Sequence, residues 1–155
     1  MSAELALEFR RQVMTSRLDL CEIEAIRKTG ASVADIVQAR NLVAAEVASV
    51  RLRPGIRRML GELPVPYAVC SNLSVDYVTA LRRFPEIRPV FEVLSCDVGH
   101  LKPDAEIYDI VISRAGLRPD QILFVGDTED ADIAGPRRAG MVAMHVDDFL
   151  ARASA

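Results

Sequence analysis

ILFVGDTEDADIAGPRRAG, residues 122–140, opens with four apolar residues, breaks at Gly126 and then sets Asp127, Glu129, Asp130 and Asp132 within six positions. The apolar run reads as a buried strand, and the segment after it as a short helix interrupted by Pro136. No basic side chain follows the acids until Arg137. Carboxylates this close destabilise one another unless a cation or hydrogen-bond donors offset them. The stretch therefore predicts a strand that delivers a charged loop in need of a partner.

Working outward, the same alternation runs through the whole C-terminal part of the chain. Pro54 introduces the helix GIRRMLGEL; VPYAVCS reads as a strand, SVDYVTALRRF as a helix capped by Ser74, and VFEVLS as a second strand. KPDAEIYDIVISRAG is a helix opened by Pro103 and closed by Gly116, and VAMHV is a strand after the acidic loop. Strand–helix alternation with continuous apolar strands predicts an α/β fold, a Rossmann-like parallel sheet flanked by helices. In such sheets ligands collect beyond the carboxyl ends of the strands.

Residues 3–50 have a different texture and read as helical throughout. Asp19 with Glu22 three positions on marks one helix start, with Gly30 as its stop; Ser32 with Asp35 marks the next. Val33, Ile36, Val37, Arg40, Val43, Val47 and Val50 put most of the apolar groups of that helix on one face, so it needs something to lie on. No strand is expected before residue 64.

Composition narrows the setting. The 155 residues suit one domain with a substantial core, half of them hydrophobic and 26% charged. A net charge of −3, without a run of Lys or Arg, argues against nucleic acid and anionic membrane as partners. No apolar run has the length of a membrane span, and MSAELALEFRRQ lacks the order of a signal peptide, so a cytoplasmic protein is expected. Cys21, Cys70 and Cys96 are odd in number and widely spaced, which predicts reduced, buried thiols. His100 and His145 are isolated and lack metal-ligand spacing.

The strand ends carry the chemistry. The first ends in Cys70, Ser71 and Asn72, the second leads into CDVGHLKPD and presents Lys102, and the third delivers the acidic loop. A phosphate held beside Mg²⁺ needs hard oxygen ligands for the metal, a hydroxyl and N–H groups for phosphoryl oxygens, and an ammonium to offset charge. A competing assignment makes Cys70 a nucleophile with a histidine base, although no histidine is near it in sequence.

In this chain order, VCSN, GHLKPDAEIY and FVGDTEDADIAGPRRAGM resemble the haloacid dehalogenase-like (HAD) hydrolase superfamily, mostly phosphatases, and the match extends over residues 54–148. The resemblance implies that Ser71 hydrogen-bonds a phosphoryl oxygen with Asn72 beside it, and that Lys102 offsets charge on nucleophile and phosphate. It makes Asp127 a direct Mg²⁺ ligand and Asp132 an orienting or outer-shell acid at the same metal, with Glu129 and Asp130 solvated. Ser71 and Lys102 are thus the catalytic candidates, Ser71, Asn72 and Lys102 the substrate-binding set, and a small phosphorylated metabolite the substrate class. Residues 1–53 resemble the family's helical cap in reduced form, and residues 54–155 its α/β core.

One part of the family pattern has no counterpart. Members carry a strand ending D-x-D-x-[TV], whose first aspartate attacks phosphorus; here the D-x-D of Asp130 and Asp132 lies inside the acidic loop, and Asp147 and Asp148 are adjacent. The resemblance implies that this strand lies between those ending at Ser71 and Asp127, leaving either a gap or new pairing in its place. Unpaired buried backbone groups cost about 1–3 kcal/mol each, against a typical stability of roughly 5–15 kcal/mol. The expectation is an HAD-like phosphate-ester hydrolase scaffold, inactive as this isolated stretch, and open to pairing as a homo-oligomer or strand-swapped dimer. The alternative is a non-catalytic binding or interaction protein derived from the same fold.

Overall fold

The computed structural model describes residues 3–27 and 32–153. Three helices lead: α1 (Ala3–Met14), α2 (Leu20–Arg27) and α3 (Val33–Ser49). Local capping chemistry starts the latter two. Asp19 Oδ1 accepts from the N–H groups of Cys21 and Glu22, both at 2.8 Å, while the Glu22 carboxylate accepts from Asp19 N. Ser32 and Asp35 form the same reciprocal box. Gly30, the expected stop of α2, lies outside the described residues.

The apolar face of α3 is narrower than its sequence suggests. Ile36, Ala39, Val43, Val47 and Val50 are half-buried, a stripe with helical spacing, whereas Val33 and Val37 face solvent. This stripe lies toward α2 and α5 (Val75–Arg82). The helical segment is tied to the rest of the chain by Arg11 to Asp104 and Arg17 to Asp97.

The remaining elements alternate as expected. After α4 (Ile56–Glu62) come β1 (Val69–Ser71), α5, β2 (Glu92–Leu94), a short α6 (Ser95–Val98), α7 (Ala105–Ala115), β3 (Leu123–Gly126), α8 (Gly135–Arg138), β4 (Val142–His145) and α9 (Val146–Ala153). Strands are shorter than their apolar runs. In VPYAVCS the paired register starts at Val69, with Val90 N already donating to Tyr67 O just before it; Pro66 faces the open edge like Cys70 and takes no part in this ladder. Pro136 does not interrupt a helix; it sits in the first turn of α8, where its missing N–H is not needed, after a π-helical turn over Glu129–Ala134. Ser74 stands at the start of α5, but its buried side chain makes no capping bond.

All pairing is parallel, in two separate ladders. β1 runs with β2, Cys70 opposite Val93, and β3 runs with β4, Phe124 opposite Ala143; among the described residues no ladder joins β1 to β3. Of the two expected outcomes for the flanking strands, the open one is found. A single core nevertheless spans both pairs. Val93, Phe124 and Ala143 pack with Ile107, Tyr108 and Val111 of α7, together with Ile133 and Met141. Burying each large side chain contributes roughly 1.5–3 kcal/mol, so α7 does much to hold the pairs in one layer. Among the described residues, no helix is long and apolar enough to cross a membrane.

Candidate active site at the strand ends

In an extended strand successive residues point their N–H and C=O groups to opposite sides. Val69 N donates toward Phe91 O in the β2 strand region, so the Cys70 carbonyl points to the open edge of β1. Lys102 reaches that edge. Its Nζ donates to Cys70 O at 3.1 Å and to Asp132 Oδ1 at 2.6 Å, and lies 5.3 Å from the centre of the Phe124 ring on β3. One ammonium thus stands between the carboxyl ends of β1 and β3.

The Lys102–Asp132 pair is buried, with side chains 10% and 8% exposed. Removing two charges from water is costly, and the cost is met only when further hydrogen bonds satisfy the remaining atoms. Asp132 satisfies this condition: its Oδ2 accepts from Asp127 N at 3.2 Å and Thr128 N at 3.1 Å. That geometry needs Gly126. A Cβ there would lie 2.4 Å from Asp132 Cγ, so only a glycine lets the carboxylate tuck against the strand end.

Other side chains hold this arrangement from outside. Asn72 donates through Nδ2 to Lys102 O and accepts through Oδ1 from Lys102 N, both at 2.7 Å, so its whole amide serves to fix the lysine backbone. Ser95, at the end of β2, accepts from Leu73 N at 2.9 Å and donates to Leu73 O at 3.3 Å, anchoring the loop after Ser71. Tyr108 donates to Ala131 O at 2.6 Å and steadies the acidic turn from α7. Sequence reasoning misses both Ser95 and Tyr108; a serine directly after an apolar strand and the tyrosine of DAEIY are the available signals.

Ser71 is the last residue of β1, half-buried and in register with Leu94. Asp127 is at the mouth, 57% exposed, and pairs with Arg53 Nη2 at 3.3 Å. Asp130 pairs with Arg138 at 3.2 Å in solvent. The crowding of acids is therefore answered in part from within the chain, by Arg53, Arg138 and Lys102. For a divalent cation the donor set is poor. Asp132 is engaged on both oxygens, Asp127 carries a guanidinium, and among the described residues no group of three or more His, Cys, Asp or Glu gathers to form a cage. The residues present do not by themselves fit a metal ion.

Cys70 offers little as a nucleophile. Burial pushes its thiol up to about 11, with Lys102 opposing and Asp132 adding to the rise. The thiol is then protonated near neutrality, and the thiolate is the reactive form. Alkylation of Cys70 by iodoacetamide at pH 7.5 is expected to run about a hundredfold slower than at an exposed, unperturbed cysteine. Residue-resolved mass spectrometry checks this, and labelling at the exposed rate contradicts it.

Comparison with known proteins places these features in context. A family model described as haloacid dehalogenase-like hydrolase matches residues 3–140. The chain is 39% identical over 81 residues to a glyceraldehyde 3-phosphate phosphatase of Methanopyrus kandleri, covering 51% of this chain and 34% of that protein. It is 32% identical over 94 residues to the phosphoglycolate phosphatase of Escherichia coli, covering 57% and 37% respectively. The chain thus spans about a third of the length of these curated relatives. Among solved structures, a predicted HAD-like family hydrolase from Porphyromonas gingivalis superposes with a TM-score of 0.66 at 20% identity, over 88% of this chain and 71% of that one. A 2-haloacid dehalogenase from Pseudomonas syringae gives 0.60 at 22% identity, over 92% and 68%. At these identities the structures speak for the fold.

Proposed function

Because the chain belongs to the haloacid dehalogenase-like hydrolase family, we propose that its strand ends form the oxyanion-binding part of a phosphate-ester hydrolase site. The observation that carries this reading is Lys102 Nζ, held between the Cys70 carbonyl and Asp132 where β1 and β3 end. An ammonium fixed in a largely buried setting, on the carbonyl of the residue before Ser71, suits a phosphoryl group whose charge grows in the transition state. Ser71 binds a phosphoryl oxygen, and Lys102 offsets charge. Asp132 positions Lys102 and the loop, and Asn72 fixes the lysine backbone.

Phosphatase names among the relatives support a small phosphorylated metabolite as substrate. Asp127, the residue that the resemblance makes a Mg²⁺ ligand, is held by Arg53 instead, and the proposed binding rests on Lys102 and Ser71 without a metal. Residues 1–53 serve as a cap-like segment over the core of residues 54–155, and the open β1 and β3 edges are the surfaces on which a second copy or a swapped strand would pair.

The carboxylates of this stretch do not include the D-x-D-x-[TV] nucleophile, so the purified 155-residue polypeptide is expected to show negligible turnover of p-nitrophenyl phosphate. Robust hydrolysis contradicts that part of the reading. Binding is separable from turnover. Inorganic phosphate is expected to raise the melting temperature of the wild-type chain more than that of Ser71→Ala, because a ligand bound to the folded state stabilises by mass action. Equal rises in both chains show only a general salt effect and remove Ser71 from the site.

A further inference from the structure

Tyr108 belongs to α7, not to the strands that carry the site, yet its hydroxyl ends inside the acidic turn. The backbone there gives the reason. In the π-helical turn over Glu129–Ala134, Gly135 N donates back five residues to Asp130 O. The next donor on that ladder, due to serve Ala131 O, would be residue 136, which is a proline and has no N–H. Ala131 is buried, and a buried carbonyl left without a donor costs free energy. Tyr108 Oη supplies the missing proton at 2.6 Å. Its approach is closely fixed. The ring stands edge-on to Phe124, with centroids 5.9 Å apart, and a Cβ at Gly135 would lie only 2.1 Å from the hydroxyl oxygen.

We propose that Tyr108 is a positioning residue of the strand-end site: its hydroxyl replaces the donor that Pro136 withholds, and so holds the turn in the form that aims Asp132 at Lys102. The Ala131 carbonyl and the Asp132 N–H belong to one planar peptide unit, so a bond to the first fixes the second. Asp132 N donates on its other side to Thr128 O at 2.6 Å, and the plane is held at both ends. From that backbone the Asp132 carboxylate reaches Lys102 Nζ through Oδ1 and the amides of Asp127 and Thr128 through Oδ2. Turns of this wide kind are rare and gather at functional sites. Without the hydroxyl, the Ala131 plane turns to find another donor, and the carboxylate contacts lengthen with it. The effect of Tyr108 on phosphate binding rests on the oxyanion reading above; its placing of Asp132 does not.

The test compares the full 155-residue wild type with Tyr108→Phe by amide-resolved NMR, with circular dichroism to verify folding. In Tyr108→Phe the N–H resonances of Asp127 and Thr128 are expected to move upfield as their bonds to Asp132 lengthen, and inorganic phosphate to bind about tenfold more weakly. Pro136→Ala returns an N–H five residues after Ala131, so Tyr108→Phe/Pro136→Ala should recover much of both signals. A tyrosine that merely filled space would not be replaced in this way. Should Tyr108→Phe alone fail to fold, folding of the double variant is the rescue expected, and failure of both overturns the proposal. Unmoved Asp127 and Thr128 resonances, or a change that Pro136→Ala leaves unrepaired, overturn it as well. So does equal phosphate affinity in wild type and Tyr108→Phe, whereas a wild type that binds no phosphate removes the oxyanion reading and leaves the two amide resonances to decide on Tyr108.

Discussion

Lys102→Met is expected to lower the free energy of unfolding by about 3–5 kcal/mol, the range for breaking a buried pair by removing one partner. Methionine keeps much of the volume and the contact with Phe124, so the loss is electrostatic. It strands the Asp132 carboxylate in a setting 8% exposed and leaves the Cys70 carbonyl at the β1 edge without its donor. Against a typical stability of roughly 5–15 kcal/mol, such a loss moves the urea midpoint far enough to measure with precision. Removing the stranded charge as well should recover part of it: in a double-mutant cycle, Lys102→Met with Asp132→Asn is expected to show a coupling of about 1–3 kcal/mol. A coupling near zero would mean that the two side chains do not share the bond seen here.

The second large effect concerns a single methyl group. Gly126→Ala places a Cβ 2.4 Å from Asp132 Cγ and 2.5 Å from Oδ2, closer than side chains tolerate. Either Asp132 leaves its N–H donors at Asp127 and Thr128, or the end of β3 shifts; both undo the link to Lys102. A destabilisation of about 2–4 kcal/mol is expected, in the range of overpacking combined with a broken buried network. Gly61→Ala makes an internal control. Gly61 lies in α4, where an added methyl group would meet nothing within 4 Å, so the same substitution there should be neutral or stabilising by up to about 1 kcal/mol. Comparable losses at both glycines would show that the close approach at Gly126 is not what matters.

These particulars show which parts of the molecule local sequence can disclose. Helix starts at Asp19 and Ser32 are readable because capping is settled within four residues. The order of strands and helices after Pro54 is readable because apolar runs and turn residues alternate at the right lengths. The extent of the strands is not, since the register of β1 is set by its partner β2, from Val69 opposite Glu92, and not by the length of the apolar run. At the site, the spacing from Gly126 to Asp132 is local, but the use of the Asp132 oxygens depends on a lysine thirty positions away. The counter-ions of the acidic loop are equally hidden. Arg53 lies 74 residues from Asp127, and no periodicity or spacing connects them. Asn72, adjacent to Ser71 and read from sequence as a substrate group, has its amide engaged by the Lys102 backbone, a pairing that only the folded β1 end creates.

The most direct test of the central claim, that one oxyanion site lies where β1 and β3 end around Lys102, is an amide-resolved NMR titration of the chain with inorganic phosphate to about 10 mM, enough to reveal millimolar binding. Saturable shifts concentrated in residues 71–73, 102 and 126–128 are expected. Absence of saturable shifts, or shifts centred on residues outside these, such as those of α3, would contradict it.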